Sequence, residues 1–450
     1  SNTLLLERRV LARCGAQTFG AFADNKLRQA AIIAIFAMAA VSYGSADFTM
    51  PSGLGHAAPM IVSVGFTLPI LIFSPLSGQI ADRFDRDMLV RKLKLIELAV
   101  MAYASLCFFI GNGPQLIFAL FLMGTQSAFF SPVRMSLMPQ YYRTEELPFA
   151  NGVYNAALFV AIVAGLSLGG ALILLDDGRL YVSLILVAAA AIGALFAMGC
   201  PKAPVNSTQK INWNIPVVAV RLFQQAAAQR GVLYPMLGIG WFWMISAASL
   251  ALLPALVRDS LQASDTAINQ CIAVSSIGAG MGSLIAGLIV SRVKDSFLFA
   301  GAAVAANAVA WVTAWFVLKD YAIPASGFFS FGNLPLMLVL TASALTNGMF
   351  VVPLMAALQS RAPQAIRAQI MGASNMTNGG LATVGALGLL LPMSLGLAPH
   401  ELFLIFGALQ LGLCIFMWRR KGAIRAAAEP APANPLSQDV VTPSFSESQK

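Results

Sequence analysis

The segment GQIADRFDR, residues 78–86, is a short charged loop between two long apolar runs. The flanking runs cover residues 57–81 and 89–111, and each exceeds the length of about 20 residues that a helix needs to cross a bilayer. Gly78 is small enough to let a neighbouring helix come close, and Asp82 can pair with a base or with a helix end from another span. The segment therefore predicts a membrane protein whose helices are latched together at this end.

Composition supports a membrane protein along the whole chain. Of the 450 residues, 58% are hydrophobic and 10% are charged, and the mean hydropathy is +0.76, whereas a soluble domain carries about 25% charged residues. The net charge of +9 does not indicate nucleic-acid binding, because the bases gather in short loops on one side. Scattered cysteines and two distant histidines predict no zinc site, no disulfide and no cofactor, and nothing indicates an enzyme.

Twelve apolar runs are long enough to span a bilayer, and a polar segment divides them six and six. This pattern predicts an all-α integral membrane protein. It has an N-terminal six-helix half at 1–200, a linker at 201–230, a C-terminal six-helix half at 231–421 and a disordered tail at 422–450. The predicted spans are 11–43, 57–81, 89–111, 115–138, 149–175, 179–200, 231–257, 266–291, 296–318, 334–360, 367–392 and 402–419.

The distribution of lysine and arginine predicts the orientation. Of the 28 such residues, 21 fall in loops, linker or terminal segments on the side of the N-terminus, and 3 fall on the opposite side. Lys94 is counted here with the loop residues. Because cytoplasmic loops carry the excess of bases, both termini and the linker are predicted to be cytoplasmic.

Three short motifs recur in the same order in the two halves, each after the same number of spans. Their order predicts a duplicated six-helix unit, with the two copies related by an axis normal to the membrane. The matched motifs are Gly78 to Asp82 with Gly287 to Ser291, Ser131-Pro132-Val133 with Val352-Pro353-Leu354, and Gly152-x-x-Asn155 with Gly372-x-x-Asn375.

A polar stretch, FGAFADNKLR at residues 19–28, interrupts the first apolar run. It places Asp24, Asn25, Lys26 and Arg28 within about one and a half helical turns, which is costly in hydrocarbon and marks a functional site by default. Asp24 and Arg28 are four residues apart, so they share a helix face and can pair with each other. Two interpretations stay open, a self-neutralised pair that helps the helix insert and a polar site for a charged head group.

The loop at 78–86 closely resembles the signature loop of the major facilitator superfamily, which reads glycine-x-x-x-aspartate-arginine-x-glycine-arginine. Asp85 stands where that pattern usually has glycine, so the turn there is expected to differ. The resemblance implies the major facilitator fold, with two pseudo-symmetric halves of six helices. It also implies a gating role for the matched residues Gly78, Asp82, Arg83 and Arg86.

A second resemblance, to the bacterial lysophospholipid transporter family, extends over the spans to about residue 420. It rests on the stretches at 19–25, 130–134, 150–152, 350–354 and 358–359. It implies a transporter that moves lysophosphatidylethanolamine-type lipids inward across the bacterial inner membrane for re-acylation. The implied partners are the lysophospholipid, membrane lipids and a cytoplasmic acyltransferase or acyl-carrier-protein ligase, and the chain is expected to be a monomer. Some members carry an arginine in the seventh helix, whereas residues 241–256 here carry no charge.

The polar residues within the spans suit that substrate. Lys26, Arg28 or Arg134 can contact the phosphate, and Asp24 can bind a head-group ammonium or hold the bases in place. The uncharged candidates for substrate binding by hydrogen bonds are Asn25, Gln126, Asn155 and Asn375.

Each of these assignments has a structural alternative. Arg134 can instead extend to the membrane surface, and the asparagines at 155 and 375 can simply bridge helices. Glu97, early in the third span, is expected to pair with a loop base rather than to titrate during transport.

Two other functions remain open. One is a proton-coupled exporter of drugs or small metabolites, with Asp24 as the proton carrier, although the neighbouring bases would keep that acid ionised. The other is a bifunctional protein that continues into an acyltransferase or ligase domain beyond the Pro/Ala-rich tail.

Overall fold

The structure is a computed structural model of the chain, and it describes residues 15, 16, 18–23, 27, 30, 31, 58–110, 113–173, 175–205, 210–261, 265–293, 295–319, 321 and 333–422. Helices account for most of these residues, and no β-strand occurs among them. The predicted all-α fold class is confirmed. The described residues between 15 and 31, which belong to the first apolar run, are helical.

The long helices follow the predicted spans closely. A π-helical turn, Leu256–Ser260, extends α7, and 3-10 turns at Gln364–Ile366 and Pro399–Glu401 precede α11 and α13. The helices are α1 (Ala58–Arg83), α2 (Arg86–Ile110), α3 (Gly113–Tyr141), α4 (Leu147–Ile173), α5 (Gly178–Met198), α6 (Ile215–Ala228), α7 (Arg230–Ala255), α8 (Asp265–Val290), α9 (Ser296–Leu318), α10 (Leu334–Arg361), α11 (Arg367–Gly388), α12 (Leu390–Ser394) and α13 (Leu402–Arg419).

The chain is a multi-pass membrane protein. Within the described residues, 10 helical segments are long and apolar enough to cross a bilayer. Eleven of the predicted spans coincide with helices whose ends differ from the prediction by a few residues at most. The count of twelve spans stays a prediction, because most of the first run, 11–43, lies outside the described residues. The predicted tail at 422–450 lies outside them too, apart from residue 422.

Helix boundaries follow local capping chemistry. Asp295 begins α9 by accepting a hydrogen bond from the backbone N–H of Leu298 at 3.0 Å. Asn214 begins α6 in the same way, by accepting from the N–H of Val217 at 3.4 Å. Both satisfy a backbone donor that the first helical turn cannot pair. After α12 the chain turns at Gly396, whose φ of +86° favours a residue without a side chain.

The two halves cross closely at two places, α1 with α11 and α4 with α8. A Cβ atom at Gly78 or at Gly152 would lie 2.6 Å from a backbone atom of the opposite half. A Cβ atom at Gly372 in α11 would clash with the backbone of Ser74 in α1, and one at Gly287 in α8 would lie 2.9 Å from the carbonyl oxygen of Pro148 in α4. The four glycines belong to the motifs that recur in the sequence, so the crossings correspond to each other under the predicted repeat. Both crossings lie near the loop between α1 and α2 and the linker at 201–230, and we call this side of the molecule the linker side.

Candidate functional site

Asp82 joins the two halves on the linker side. Its Oδ1 accepts a hydrogen bond from Arg86 at 2.9 Å and from the backbone N–H of Ala368 at 2.9 Å. Its Oδ2 accepts from the backbone N–H of Gln369 at 2.9 Å. The carboxylate, 2% exposed, therefore fills the N-terminus of α11, where unpaired N–H groups and the helix dipole favour a negative charge.

The predicted gating residues separate into two groups. Gly78, Asp82 and Arg86 lie together at the α1–α11 crossing. Arg83 is exposed, and its guanidinium lies 5.8 Å from the ring centre of Phe84. The gating role of all four stays a prediction, since contact geometry does not measure a change of state.

Asp85, where the superfamily pattern usually has glycine, binds the linker. Its Oδ1 accepts a hydrogen bond from the backbone N–H of Val205 at 2.9 Å. Asp87 does the same for the N–H of Ala203 at 3.0 Å. The departure from the pattern thus fixes the start of the linker against the loop between α1 and α2.

Beside the second crossing, amides rather than a carboxylate join the two halves. Ser291, which corresponds to Asp82 in the repeat, lies just after α8 and donates to the carbonyl of Leu288 in that helix. Instead, Asn151 of α4 and Gln359 of α10 form two reciprocal hydrogen bonds, at 2.7 and 3.0 Å, and neither residue is exposed. Because a buried amide that loses its partner is costly, this pair favours the closed arrangement of the linker side.

Asn155 and Asn375 also join the halves. Asn375 donates to Ser74 of α1 at 2.8 Å and accepts from Ser131 of α3 at 3.3 Å. Asn155 contacts the sulfur of Met355 in α10 at 3.4 Å. In this conformation both asparagines therefore bridge helices, in agreement with the structural alternative, and their predicted role in substrate binding stays a prediction.

A buried ion pair lies inside the N-terminal half. Lys94 Nζ is 2.7 Å from Glu97 Oε2, and the two side chains are 1% and 2% exposed. Gln126, one of the predicted site residues, donates to the same carboxylate oxygen at 3.0 Å. The Lys94 ammonium also lies 4.6 Å from the ring centre of Phe130, a favourable cation–π distance. Among the described residues, Glu97 Oε1 has no hydrogen-bond partner.

The ion pair faces the polar stretch of the first run. A Cβ atom at Gly20 would clash with Lys94 Nζ and lie 3.1 Å from Glu97 Oε1. Gly20 is four residues before Asp24 in the sequence. Asp24, Asn25, Lys26 and Arg28 lie outside the described residues.

Two expectations about α2 need revision. Lys94 is buried within α2, so counting it as a loop base was wrong. The number of lysine and arginine residues counted on the linker side falls from 21 to 20, and the predicted orientation does not change. Glu97 does pair with a base, but that base is Lys94 rather than a loop residue. Two opposite charges three residues apart inside an apolar run were the signal for this pair.

Arg134 points into the N-terminal half. Its guanidinium lies 5.3 Å from the ring centre of Tyr154 in α4. Together with residues that include Ala16 and Phe130, it lines a cavity of about 10 Å³, which is space for roughly one water molecule. The position favours an internal role over extension to the membrane surface, although a phospholipid head group does not fit this cavity in the closed conformation.

The C-terminal half has a buried polar network without charge. Gln410 donates to Asn307 at 2.6 Å and accepts from the indole N–H of Trp241 at 2.9 Å. Trp311 donates to the same Asn307 oxygen at 3.0 Å. This network includes Trp241 of α7, and residues 241–256 carry no charge. The described part of the chain contains no cluster of three or more histidine, cysteine or acidic residues suited to a metal ion.

Comparisons with known proteins agree with this architecture. A family model described as the Major Facilitator Superfamily matches residues 28–386. Among solved structures, a bacterial homologue of the iron transporter ferroportin in an outward-facing state has a TM-score of 0.65 at 14% identity, covering 90% of this chain and all of that one. The fucose:proton symporter FucP of E. coli has a TM-score of 0.64 at 13% identity, covering 91% and 98%. At these identities the likeness concerns the fold alone.

Curated relatives carry a more specific name. A protein of Photorhabdus laumondii named lysophospholipid transporter LplT is 25% identical over 371 residues, which are 80% of this chain and 82% of the relative. A protein of Salmonella paratyphi B with the same name is 26% identical over 378 residues, or 82% and 84% of the two chains.

Proposed function

The chain belongs to the Major Facilitator Superfamily, and we propose that this membrane transporter carries lysophospholipids across the bilayer by alternating access. The proposed substrates are lysophosphatidylethanolamine-type lipids, which have one acyl chain and a head group with a phosphate and an ammonium. The relatives named lysophospholipid transporter, which align with most of the chain, support this substrate class.

The asymmetric distribution of charge is the observation that carries the proposal. Lys94, Glu97 and Arg134 place buried or partly buried charges of both signs in the N-terminal half, beside the run that contains Asp24. The buried network of the C-terminal half holds amide and indole groups instead. A head group with both charges suits the first environment, since ionic groups in a membrane need charged or strongly polar partners.

The mechanism follows from the closed linker side. The Asp82 and Asn151–Gln359 contacts join the halves on this side, and they would have to separate before a lipid could leave there. We expect the acyl chain to enter sideways between helices. Moving it through water would cost about 0.8 kcal/mol for each CH₂ group exposed.

The cellular setting forms part of the same proposal. We propose a location in the bacterial inner membrane, with both termini and the linker in the cytoplasm. The excess of lysine and arginine on the linker side supports this orientation. Inward transport would then deliver the lipid to a cytoplasmic acyltransferase or acyl-carrier-protein ligase, and the transporter is expected to act as a monomer.

Leaflet transfer in proteoliposomes tests the function. Fluorescent lysophosphatidylethanolamine is placed in one leaflet, and its transfer is followed by back-extraction with albumin, first without and then with a proton gradient. We expect transfer without a gradient in the wild type, loss of transfer in Asp24→Ala and full transfer in the control Asp176→Ala, whose side chain is exposed.

The same assay separates the alternative function. If no lysophospholipid moves with or without a gradient, while a gradient drives uptake of small cationic drugs, the chain is a proton-coupled exporter. Transfer at the wild-type rate in Asp24→Ala would leave the substrate class standing and remove the proposed site in the first run.

A further inference from the structure

The linker contains a helix that hydropathy did not predict. α6 covers Ile215–Ala228, and its 14 residues are too few to cross a bilayer. Val218, Leu222 and Ala226 form its buried stripe and pack against the core of the C-terminal half. The helix also contacts α1, α7 and α11, so it lies against spans from both halves on the linker side.

Apart from Gln224, the opposite face of α6 is mainly apolar, and it is exposed. Val217 is 52% exposed and Val220 is 58% exposed, and Trp213, just before the helix, is 70% exposed. At about 100° per residue, Val217 and Val220 lie roughly opposite the buried stripe. One apolar face of this short helix packs against the protein. The other apolar face needs a second apolar environment.

The linker is purely basic. Residues 201–230 contain Lys202, Lys210, Arg221 and Arg230 and no acidic residue, and there is no aspartate or glutamate anywhere between residues 178 and 258. Lys210, Arg221 and Arg230 are exposed. Apolar residues combined with bases on an exposed helix are typical of segments that lie in the interface of an anionic membrane.

The orientation of α6 is fixed by its attachment to α1. Gln79 donates to the backbone carbonyl of Asn212 at 3.0 Å and accepts from its N–H at 2.8 Å. Asn214 then caps the helix. The exposed face with Val217 and Val220 therefore cannot turn inward unless the two Gln79–Asn212 hydrogen bonds break and the buried stripe unpacks.

From these observations we propose that α6 is an interfacial helix that binds the surface of an anionic membrane. Trp213, Val217 and Val220 enter the boundary between head groups and acyl chains, and Lys210 and Arg221 bind anionic phospholipid head groups. The ligand is the bilayer lipid itself, so the proposal is independent of what the transporter carries.

The test uses the full chain in proteoliposomes, in a background whose five native cysteines are replaced. A bimane fluorophore is attached to Val217→Cys, to Val220→Cys or to the control Glu145→Cys, which lies in an exposed loop on the same side. We expect brominated acyl chains to quench the label at 217 and 220, and aqueous iodide to quench the label at 145. Iodide quenching at 217 and 220 equal to that at 145 would contradict the proposal. Protection from both quenchers would mean that a second copy or another segment of this chain covers the face, which also overturns the proposal.

A second arm tests the charge. With a minority of brominated phosphatidylglycerol in phosphatidylcholine, the label at 217 should be quenched more than with the same fraction of brominated phosphatidylcholine. Each base near an anionic surface strengthens lipid attachment about fivefold. The double variant Lys210→Gln/Arg221→Gln should therefore lose most of this preference. Equal quenching by the two lipids in the unsubstituted linker would refute the selectivity for anionic lipid.

Discussion

The amide pair between α4 and α10 makes the closed linker side sensitive to a single substitution, Gln359→Leu. Gln359 and Asn151 share hydrogen bonds of 2.7 and 3.0 Å at a site with no exposure to solvent. Without Gln359, the Asn151 side-chain N–H group keeps its hydrogen bond of 2.9 Å to the carbonyl of Leu147. The Asn151 side-chain oxygen, however, loses the hydrogen bond that Gln359 donates. A buried polar atom left unpaired costs about 1–3 kcal/mol. When the halves separate, water can reach the atom, so the closed state carries that cost and the open fraction should rise about 5- to 150-fold.

Alkylation of a buried cysteine measures the open fraction. Ala356 in α10 is 8% exposed and packs in a cluster with residues of the N-terminal half. The maleimide reaction rate of Ala356→Cys should therefore follow the opening of the linker side. We expect Gln359→Leu to raise this rate by at least fivefold and Asn151→Leu/Gln359→Leu to restore it, because replacing both partners by apolar groups is nearly neutral.

A matched control separates this effect from a general loss of stability. Gln410→Leu also removes a buried amide with two hydrogen bonds, but its partners Trp241 and Asn307 belong to the same half. In Gln410→Leu, the maleimide reaction rate of Ala356→Cys should stay near that of the parent. Equal rates for Gln359→Leu and Gln410→Leu, or no recovery in the double variant, would show that the Asn151–Gln359 pair does not hold the linker side closed.

Three further substitutions probe the remaining contacts. Asp82→Asn removes the charge that holds Arg86 and the N-terminus of α11, so the cysteine of Ala356→Cys should react several-fold faster. An unchanged rate would show that the Asp82 carboxylate does not hold the closed state. Gly20→Ala places a methyl group against the Lys94 ammonium, so both the Tm and lysophospholipid transfer should fall; an unchanged Tm, measured by scanning fluorimetry, would contradict the packing of the first run. Lys94→Met leaves Glu97 buried without its cation, which costs about 3–5 kcal/mol. The Tm of Lys94→Met should fall clearly and recover in Lys94→Met/Glu97→Gln. An equal Tm in the single and double variants would show that the Lys94–Glu97 ion pair does not stabilise the fold.

Sequence patterns were sufficient for the eleven spans that the structure describes, because each of them is a long apolar run bounded by turn or charge signals. They also predicted that Asp82 contacts another charged group or helix, but they left its partner open between a base and a helix end. The structure contains both. Arg86 is four residues away and could be expected from the sequence, whereas Ala368 is 286 residues away and depends on how the halves pack.

Burial could not be predicted where it depends on distant residues. Lys94 follows Arg91 and Lys92 at the start of a span, so its sequence context resembles that of a loop base. Its burial depends on Glu97 in the same helix and on Gln126 from α3.

The linker helix was missed for a related reason. The first part of 201–230 is rich in proline and polar residues, which gave the whole segment the composition of a loop. α6 then has only 14 residues, too few for a window tuned to membrane spans. Val218 is buried and Val220 is exposed, so the apolar residues of α6 lie on two faces of a helix. That arrangement is a helical signal that composition alone does not show.

We expect this transporter to move lysophospholipid only when its linker side can open. Phe159 in α4 and Gly280 in α8 face each other across the halves, with 3.3 Å between the Phe159 Cβ and a Cβ built at Gly280, close to the spacing of a disulfide. In a background without native cysteines, Phe159→Cys/Gly280→Cys can therefore be cross-linked by oxidation and released by reduction. We expect leaflet transfer of lysophosphatidylethanolamine in the reduced protein, loss of transfer on oxidation and recovery on reduction. Transfer that continues at full rate in the cross-linked protein, or that is absent from the reduced one, would contradict this expectation.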